Sequence, residues 1–564
     1  MDRLERTTTS ATATATVGEQ SEIGVARTVT LDLAPAASEI AKYDLSSNQR
    51  DRHVFRVSTT RSDVPYSVFS STTRKLLCAA ATFAALFSPL ATNIYFPSIT
   101  DIADDLHVSV EKINLTVTTY MILQGISPTI WGTFADVLGR RPIYLLTLIV
   151  FMAANLGLAL QYSYPALLVL RMVQSGGSSA TVALGAGTIG DIVPPAERGS
   201  YTGFFSAGVM VAPAIAPVIG GVLSKSKDSW RASFWFLFAA GSTLFAFLLI
   251  LMPETGRQIV GNGSVPAPRI NQSVLQLMRS KKRVHESDEN LVVLPKRSLG
   301  NPMRSISIIM QKDVASLLFS FALVYVAYYC VTVGFSAQVG KIYGLNTLEV
   351  GLCFLPYGAG ASFGSIIMGK VLDAEFGRFA RKHGFGDGKQ VRQNPDFPLE
   401  HARLRSAWIV VIGEAVICLV FGWTFRSSIS LACPLILLFG YGFGFNAFAT
   451  IVQVLLVDLY PNESATVTAA NNLVRCLLGA AGSAVVEIVI NAIGFGWTFT
   501  IVTGMQILAL PLMWLEWHFG MGWRRERLTK LKRSKYEDEE KAASPQQQDV
   551  EDLVDGGNEQ KQVK

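Results

Sequence analysis

Long apolar runs separated by short polar stretches dominate this chain of 564 residues. Because about 20 consecutive apolar residues can cross the hydrocarbon core of a bilayer, each such run is a candidate membrane-spanning helix. The pattern predicts about twelve spans and an all-α polytopic membrane protein. The approximate limits of the spans are 76–98, 113–134, 142–161, 165–190, 200–223, 231–252, 313–336, 347–372, 406–426, 430–457, 464–491 and 495–517.

The polar stretches divide the chain into five parts. A Ser- and Thr-rich tail, which we expect to be disordered, precedes a first group of six spans. A basic linker separates this group from a second group of six, and a tail that ends acidic and Gln-rich follows. The parts are residues 1–73, 74–253, 254–312, 313–518 and 519–564.

Charge is sparse, at 16% of residues, and basic side chains lie beside the spans. Arg140, Arg141 and Arg524 follow predicted spans, whereas the loop after the first span carries Asp101 and Asp104. Basic residues favour the cytoplasmic side, so we expect both termini there. The net charge of +6 is explained by this bias and does not indicate nucleic-acid binding.

The residue types that carry enzyme chemistry are scattered. The six cysteines fall in or at the edge of predicted spans without metal-ligand spacing, and the six histidines build no cluster. Nucleotide-binding loops and catalytic pairs are absent from the sequence. We therefore expect a protein that is not an enzyme and that uses neither a metal nor a cofactor.

A compact charged motif joins the second and third spans. It reads Gly132-x-x-x-Asp136-x-x-Gly139-Arg140-Arg141, and its acid and bases can bridge helix ends at the membrane surface. The alternative is an ordinary basic loop. The motif resembles the signature loop between helices 2 and 3 of the major facilitator superfamily of transporters. That resemblance implies two six-helix halves that rock around a substrate site near the midplane.

The second half repeats parts of the first. Asp373 closes the eighth span and is followed by Gly377-Arg378, as Asp136 is followed by Gly139-Arg140. Asp191 and Asp458 each begin an Asp-x-x-Pro sequence at the end of spans four and ten. These repeats favour a duplicated half.

The fifth span is rich in Pro and Gly. Pro213 and Pro217 share one helix face, which Gly220 and Gly221 extend, so neighbouring helices can approach closely. The segment resembles the superfamily's antiporter motif, with Ala216 in place of a Gly, and this implies export by exchange. The alternative is a generic Gly- and Pro-rich helix.

Arg171 lies inside the fourth span, where a charge is expensive and tends to face a cavity or a partner. Gln174 lies one turn on. The stretch resembles a family motif whose Arg is linked to proton coupling, although Ser175 replaces its Gly. The alternative is an Arg that serves only as a structural ion-pair partner.

Charged residues after the fourth span indicate a gate. We expect Asp191 and Arg198 to form a charged cluster with Asp136 and Arg140 that breaks and reforms as the halves move. A solvated loop face is the alternative.

Asn471 and Arg475, one turn apart in the eleventh span, predict a polar face. Arg171 and Arg475 together could hold an anion, because guanidinium groups bind carboxylates bidentately. Alternatively, Arg475 pairs with Asp458.

Two acids, Glu414 and Glu487, lie in strongly apolar runs. Either is a candidate carrier of an exchanged proton, a partner for a cationic substrate, or a packing residue. Asn93, Gln124 and Tyr325 are candidate cavity-lining residues, as are Tyr329 and Asn446.

Four features together resemble the fungal drug:proton antiporter branch with twelve spans, including its quinidine-resistance and citrate-exporter types. They are Asn93-Ile-Tyr-Phe-Pro97, the two prolines of the fifth span, the long basic linker and Ala470-Asn-Asn-Leu-Val-Arg475. The resemblance implies proton-coupled export of a drug, toxin or secondary metabolite across the plasma membrane. A carboxylate such as citrate is the second substrate class, and a non-transporting sensor or scaffold is a remote alternative. The expected partners are the substrate, protons and the lipid bilayer, with the protein acting as a monomer.

Overall fold

Long α-helices make up the part of the chain that the structure describes. The structure, a computed structural model, describes residues 66–194, 197–227, 229–279, 304–382, 397–425, 428–460, 464–531 and 533. These residues belong to one compact unit, Val57–Lys564, and none of them lies in a β-strand. Most of the predicted N-terminal and C-terminal tails, the centre of the linker and the side chain of Arg198 lie outside the described residues.

The first half contains seven long or medium helices. They are α1 (Ser71–Asn93), α2 (Val110–Leu138), α3 (Arg140–Leu160), α4 (Tyr164–Ser178), α5 (Ala180–Ile192), α6 (Arg198–Lys227) and α7 (Arg231–Leu251). Short helical turns connect or follow them at Phe96–Ser98, Ile99–Asp105, Arg257–Val260, Arg269–Asn271 and Val274–Arg279.

The second half contains six further long or medium helices. They are α8 (Lys312–Tyr343), α9 (Leu355–Lys382), α10 (Ala407–Thr424), α11 (Ala432–Leu459), α12 (Ser464–Ile493) and α13 (Phe495–Ile507). Helix continues after α13, so that one apolar helical segment covers Phe495–Leu531. Short helices lie at Arg304–Ile309, Thr347–Leu352 and Leu399–Leu404.

The predicted membrane fold is confirmed, because ten helical segments in the described residues are long and apolar enough to cross a bilayer. The helices at the other two predicted spans, α2 and the α4–α5 pair, are not among these ten. α2 carries several Thr, Asn and Gln side chains, and the α4–α5 pair is interrupted at Ser179.

Small residues set the helix contacts within each half. α1 packs on α5 and α6, and α3 packs on α4 and α7; in the second half α9 packs on α11 and α10 on α13. A Cβ atom at Gly177 would lie 2.7 Å from the backbone nitrogen of Phe151, so α4 and α3 touch backbone to backbone. Close approach of this kind provides dispersion contacts where lipid offers no hydrophobic drive.

Among the described residues, two large contacts join the halves. α2 packs along α12, and α6 packs on α9 and on the short helix Thr347–Leu352. We call the membrane face with residues 136–141 the motif face and the other the opposite face. Side-chain hydrogen bonds between the halves extend from mid-membrane to the opposite face, as in Thr118–Ser483 (3.0 Å), Thr347–Asp101 (2.7 Å) and Asn491–Glu111 (2.7 Å). The halves are therefore fastened together on the side away from the motif face.

The structure differs from the predicted repeat of the charged loop. At the first copy the chain turns at Gly139, whose φ is 107°. At the second copy α9 continues through Gly377 to Lys382, and Asp373 and Arg378 are exposed on it. Gly377 permits a turn but does not impose one, because helix continues on both sides of it.

Replacing Gly220 by Ala should destabilise the protein. Its new methyl group would collide with the carbonyl oxygen of Ile94, and such overpacking costs about 1–3 kcal/mol. Thermal unfolding in detergent should show a lower melting temperature. Gly203, on the same helix with no atom within 4 Å of its Cβ position, provides the matched control. Gly203→Ala should melt at or above the wild-type temperature, and equal losses in both variants would contradict the expectation.

Candidate functional site

Arg171 is held inside the first half. Its side chain is fully buried in α4, with its guanidinium 4.3 Å from the ring centres of both Tyr95 and Tyr120. Nη1 donates hydrogen bonds to the carbonyl of Ala91 (3.1 Å) and to Gln174 Oε1 (2.6 Å). The cation is thus placed by aromatic faces and neutral oxygens.

A chain of amides fixes the orientation of Arg171. Gln174 Nε2 donates to Asn155 Oδ1 at 2.7 Å, so the amide oxygen of Gln174 points at the guanidinium. Arg171 Nε and Nη2 have no hydrogen-bond partner, and no acid pairs with Arg171 in the described part of the chain. The described residues therefore do not contain the ion pair of the alternative interpretation.

Arg475 is the corresponding cation of the second half. It lies on α12, partly exposed, 4.8 Å from the ring centre of Tyr325. Nη2 and Nε donate to Asn472 Oδ1 at 2.7 and 3.3 Å. Among the residues described, Arg475 also has no acidic partner, since Asp458 pairs with Arg403 at 2.8 Å.

Asn472 is the amide that holds Arg475, and sequence reasoning missed it. Asn471 is buried with its Oδ1 unpartnered, and the structure shows no hydrogen bond between it and Arg475. Residues three and four positions apart both lie on one helix face, so spacing could not separate the two candidates.

An aromatic cluster extends from Tyr325, the ring that Arg475 contacts. It consists of Tyr325, Tyr328 and Tyr329 on α8, Tyr357 on α9 and Phe445 on α11, all buried. The ring of Tyr328 stacks on Phe445 with centres 4.4 Å apart and on Tyr357 at 5.5 Å. Sequence reasoning selected Tyr325 and Tyr329 and missed the other three, although Tyr-x-x-Tyr-Tyr spacing on a helix is a detectable signal.

The two cations lie on either side of the α2–α12 contact, with Arg171 against Tyr120 of α2 and Arg475 on α12 against Tyr325. We call the residues around the two cations the shared region. This region combines positive charge with apolar aromatic surface.

The other predicted cavity residues have separate places. Asn93 Nδ2 donates to the carbonyl of Pro89 within its own helix (2.7 Å). Gln124 is buried, and its backbone oxygen accepts a hydrogen bond from Asn472 Nδ2 of the other half (2.7 Å). Asn446 Nδ2 donates to Gly442. Gln124 is thus the predicted residue that lies at the contact between the halves.

The two candidate acids lie in different surroundings. Glu414 is buried between α10, α11 and α13, next to Tyr441 and Gln506. Glu487 lies towards the opposite face, where Gln338 Nε2 donates to it at 2.8 Å. Neither acid contacts Arg171 or Arg475 in the described structure.

The charged loop forms the expected cluster at the motif face. Arg140 binds Asp136 through Nη2 and Asp191 through Nε, both at 2.9 Å. A Cβ atom at Gly187 of α5 would lie 2.8 Å from the guanidinium carbon of Arg140, so this glycine makes room for the cation. Gly132 has no atom within 4 Å of its Cβ position. The cluster links the ends of α2, α3 and α5.

Glu254 completes this network, and sequence reasoning missed it. Its buried Oε1 accepts hydrogen bonds from the backbone nitrogens of Arg140 (2.8 Å), Thr255 (2.9 Å) and Gly256 (2.8 Å). Oε2 accepts from Asn271 Nδ2 (2.6 Å). The acid thereby joins the end of α7 to the start of α3. A Pro-Glu-Thr-Gly sequence directly after an apolar run was the available signal.

Gly139 and Arg141 make that junction possible. A Cβ atom at Gly139 would collide with Glu254 and Asn271, and its positive φ disfavours other residues. Arg141 is buried and donates to the carbonyls of Leu249 (2.9 Å), Met252 (3.0 Å) and Ile270 (3.2 Å). It satisfies carbonyls at the end of α7, which a helix terminus leaves unpaired.

The Pro- and Gly-rich stretch of α6 lies where the halves meet. A Cβ atom at Gly221 would lie 2.9 Å from Leu348 Cα, and one at Gly351 would lie 2.5 Å from the carbonyl oxygen of Pro217. Pro213 is half-buried one turn earlier. The stretch therefore supports close contact between the halves and places no polar side chain in the shared region.

A family model described as Major Facilitator Superfamily matches residues 81–483. The chain belongs to the major facilitator superfamily. It is a membrane transporter, and members of this family are not enzymes.

Fungal relatives extend the match beyond the family model. The chain is 42% identical over 476 residues to the MFS-type transporter phiD of Fungal sp. (strain ATCC 74256), covering 83% of this chain and 72% of that protein. It is 37% identical to the MFS-type transporter tstD of Talaromyces stipitatus, covering 89% and 92%. Citrate exporter 1 of Aspergillus niger is 36% identical, covering 83% and 90%.

A solved structure shares the fold. The crystal structure of the human organic anion transporter MFSD10 (TETRAN) aligns with a TM-score of 0.50 and 17% identity. The alignment covers 78% of this chain and 99% of that one. At this identity the similarity concerns the helix arrangement alone.

Replacing Glu254 by Ala should cost at least about 2 kcal/mol, because it leaves several buried N–H groups unpaired. A clear fall in melting temperature should follow. The matched control is Glu197→Ala, which removes a 3.1 Å pair with Arg74 from a half-exposed carboxylate. Exposed pairs contribute about 0–1 kcal/mol, so this variant should stay near wild type. A larger loss in Glu197→Ala would contradict the assigned importance of Glu254.

Proposed function

We propose that this transporter exports a small organic molecule with a carboxylate head and an apolar body, in exchange for protons, by alternating access. The observation that carries the proposal is the pair Arg171 and Arg475, one cation in each half, neither of which has an acidic partner among the described residues. A buried cation normally has a compensating charge, so a ligand anion is the missing partner.

The head group follows from the donors. Arg171 presents Nε and Nη2 without partners, and Arg475 presents an edge that is held only by a neutral amide. Guanidinium edges match the two oxygens of a carboxylate.

The body follows from the aromatic cluster. The five rings of the aromatic cluster offer apolar surface to a substrate. Such surface binds an alkyl or conjugated skeleton, but it contributes little to the binding of a highly charged skeleton. This favours an amphipathic carboxylate such as an acidic toxin or secondary metabolite. A compact carboxylate such as citrate is the second candidate, supported by the two cations and by the likeness to Citrate exporter 1. A cationic substrate is not favoured, because the described residues place no protein carboxylate in the shared region to bind it.

The direction of transport rests on charge. Basic residues beside the motif face agree with a cytoplasmic location of that face, and the Pro- and Gly-rich α6 resembles the antiporter motif. Exchange of an outgoing anion for an incoming proton is driven by both the inside-negative membrane potential and an acidic exterior. Glu414 and Glu487 are the candidate proton carriers, and the plasma membrane is the location where such export clears the cell.

Transport by the purified protein in liposomes tests the proposal. Carboxyfluorescein serves as the aromatic carboxylate, labelled citrate as the compact one and rhodamine 6G as the cation. With a neutral interior and an acidic exterior, carboxyfluorescein should leave faster than from protein-free liposomes. The release should slow when a protonophore removes the pH gradient. Export of rhodamine alone would contradict the proposal, and export of citrate alone would favour the second candidate.

Arg475→Gln should reduce carboxyfluorescein export at least about tenfold, because it removes a charge-assisted pair worth about 1.5–3 kcal/mol. Arg475→Lys keeps the charge but not the paired donors, so it should retain an intermediate rate. Initial efflux rates at several probe concentrations measure both effects. Full activity of Arg475→Gln would show that the anion binds elsewhere.

A further inference from the structure

Asn472 connects the candidate substrate site of the second half to the backbone of the first half. Its Oδ1 accepts hydrogen bonds from Arg475 Nη2 and Nε, while its Nδ2 donates to the backbone oxygen of Gln124 at 2.7 Å. Both ends of one amide are thus used at once. The Arg475 bonds fix the amide so that its nitrogen faces α2.

The acceptor on α2, the Gln124 carbonyl, has no donor within its own helix, and the sequence explains why. A helical carbonyl normally accepts from the N–H four residues later, and for Gln124 that residue is Pro128, inside α2. Proline has no N–H. The Gln124 carbonyl therefore needs another donor in a membrane helix, and Asn472 supplies it across the contact between the halves.

The contact is close at this point. A Cβ atom at Gly125 would lie 3.2 Å from Cys476 Cβ and 3.4 Å from the carbonyl oxygen of Leu473. Cys476 is fully buried there. The Asn472 hydrogen bond therefore spans the tight part of the α2–α12 contact, and losing it affects whether these helices stay together.

We propose, on the basis of the proposed function, that Asn472 is the positioning residue that couples anion binding to separation of the halves. A carboxylate that binds the Nε and Nη2 edge of Arg475 competes with Asn472 Oδ1 for the N–H groups of that edge. The charged acceptor is the stronger one. The displaced amide loses its fixed orientation, its bond to Gln124 weakens, and α2 separates from α12.

Native Cys476 reports the separation. Full-length protein in nanodiscs is treated with N-ethylmaleimide, and the modified fraction of Cys476 is followed by peptide mass spectrometry, with and without carboxyfluorescein. Wild type should react slowly alone and about 3- to 10-fold faster with the probe, the range expected for one hydrogen bond. Asn472→Ala should react fast in both conditions. The neighbouring variant Asn471→Ala, the matched control, should behave as wild type.

A second variant tests the contact without touching Asn472, Arg475 or Cys476. Pro128→Ala gives the Gln124 carbonyl an N–H within its own helix, so Asn472 should hold it less tightly and probe-free labelling should rise. If Pro128→Ala labels as slowly as wild type without probe, the inference is overturned. Fast labelling of Asn472→Ala alone does not support it, because that variant also removes the acceptor to which the Cys476 thiol donates (3.6 Å). An equal acceleration by the probe in wild type and Asn472→Ala overturns it as well.

Failure of this inference differs from failure of the proposed function. If carboxyfluorescein is transported but leaves wild-type Cys476 labelling unchanged, the coupling is wrong and the proposed function stands. If carboxyfluorescein is neither transported nor accelerates labelling, the proposed function is wrong and the coupling is overturned with it.

Discussion

Close helix contact in lipid is the constraint on which this structure depends. Because lipid chains are as apolar as leucine side chains, the helices gain little from burying apolar surface against one another. Contacts therefore depend on small residues and on polar groups that find partners. Gly177 joins α4 to α3, Gly221 joins the two halves, and Gly125 lets α12 approach α2.

The buried arginines divide by the partners that they have. Arg140 and Arg403 bind acids at the ends of helices, so their charges are compensated. Arg141 binds three carbonyls at the end of α7 and joins that end to α3. Arg171 and Arg475 are held by aromatic faces and neutral oxygens inside α4 and α12. That difference is the basis on which a ligand role is proposed for these two cations.

The sequence predicted most of the architecture but only part of the site. Apolar runs and short motifs are local properties, so the helices and the charged loop could be predicted directly from the sequence. Partners distant in sequence could not, since Arg140 and Glu254 are 114 residues apart. Asn472 was missed because helical spacing places both Asn471 and Asn472 near Arg475, and only packing decides which of them binds it. The eighth span was predicted to close at Asp373 but continues to Lys382, because a Gly-Arg pair does not by itself end a helix.

The junction at Glu254 has a consequence for the order of synthesis. The turn at Gly139 emerges from the ribosome long before its buried partners, Glu254 and Asn271. Until they arrive, the amide of Arg140 lacks its carboxylate and the Leu138 carbonyl lacks the Asn271 amide. The N-terminal half therefore matures as a unit only when its last segment has been translated, before α8 exists. A nascent chain that stalls earlier presents an unfinished membrane-surface turn to quality control.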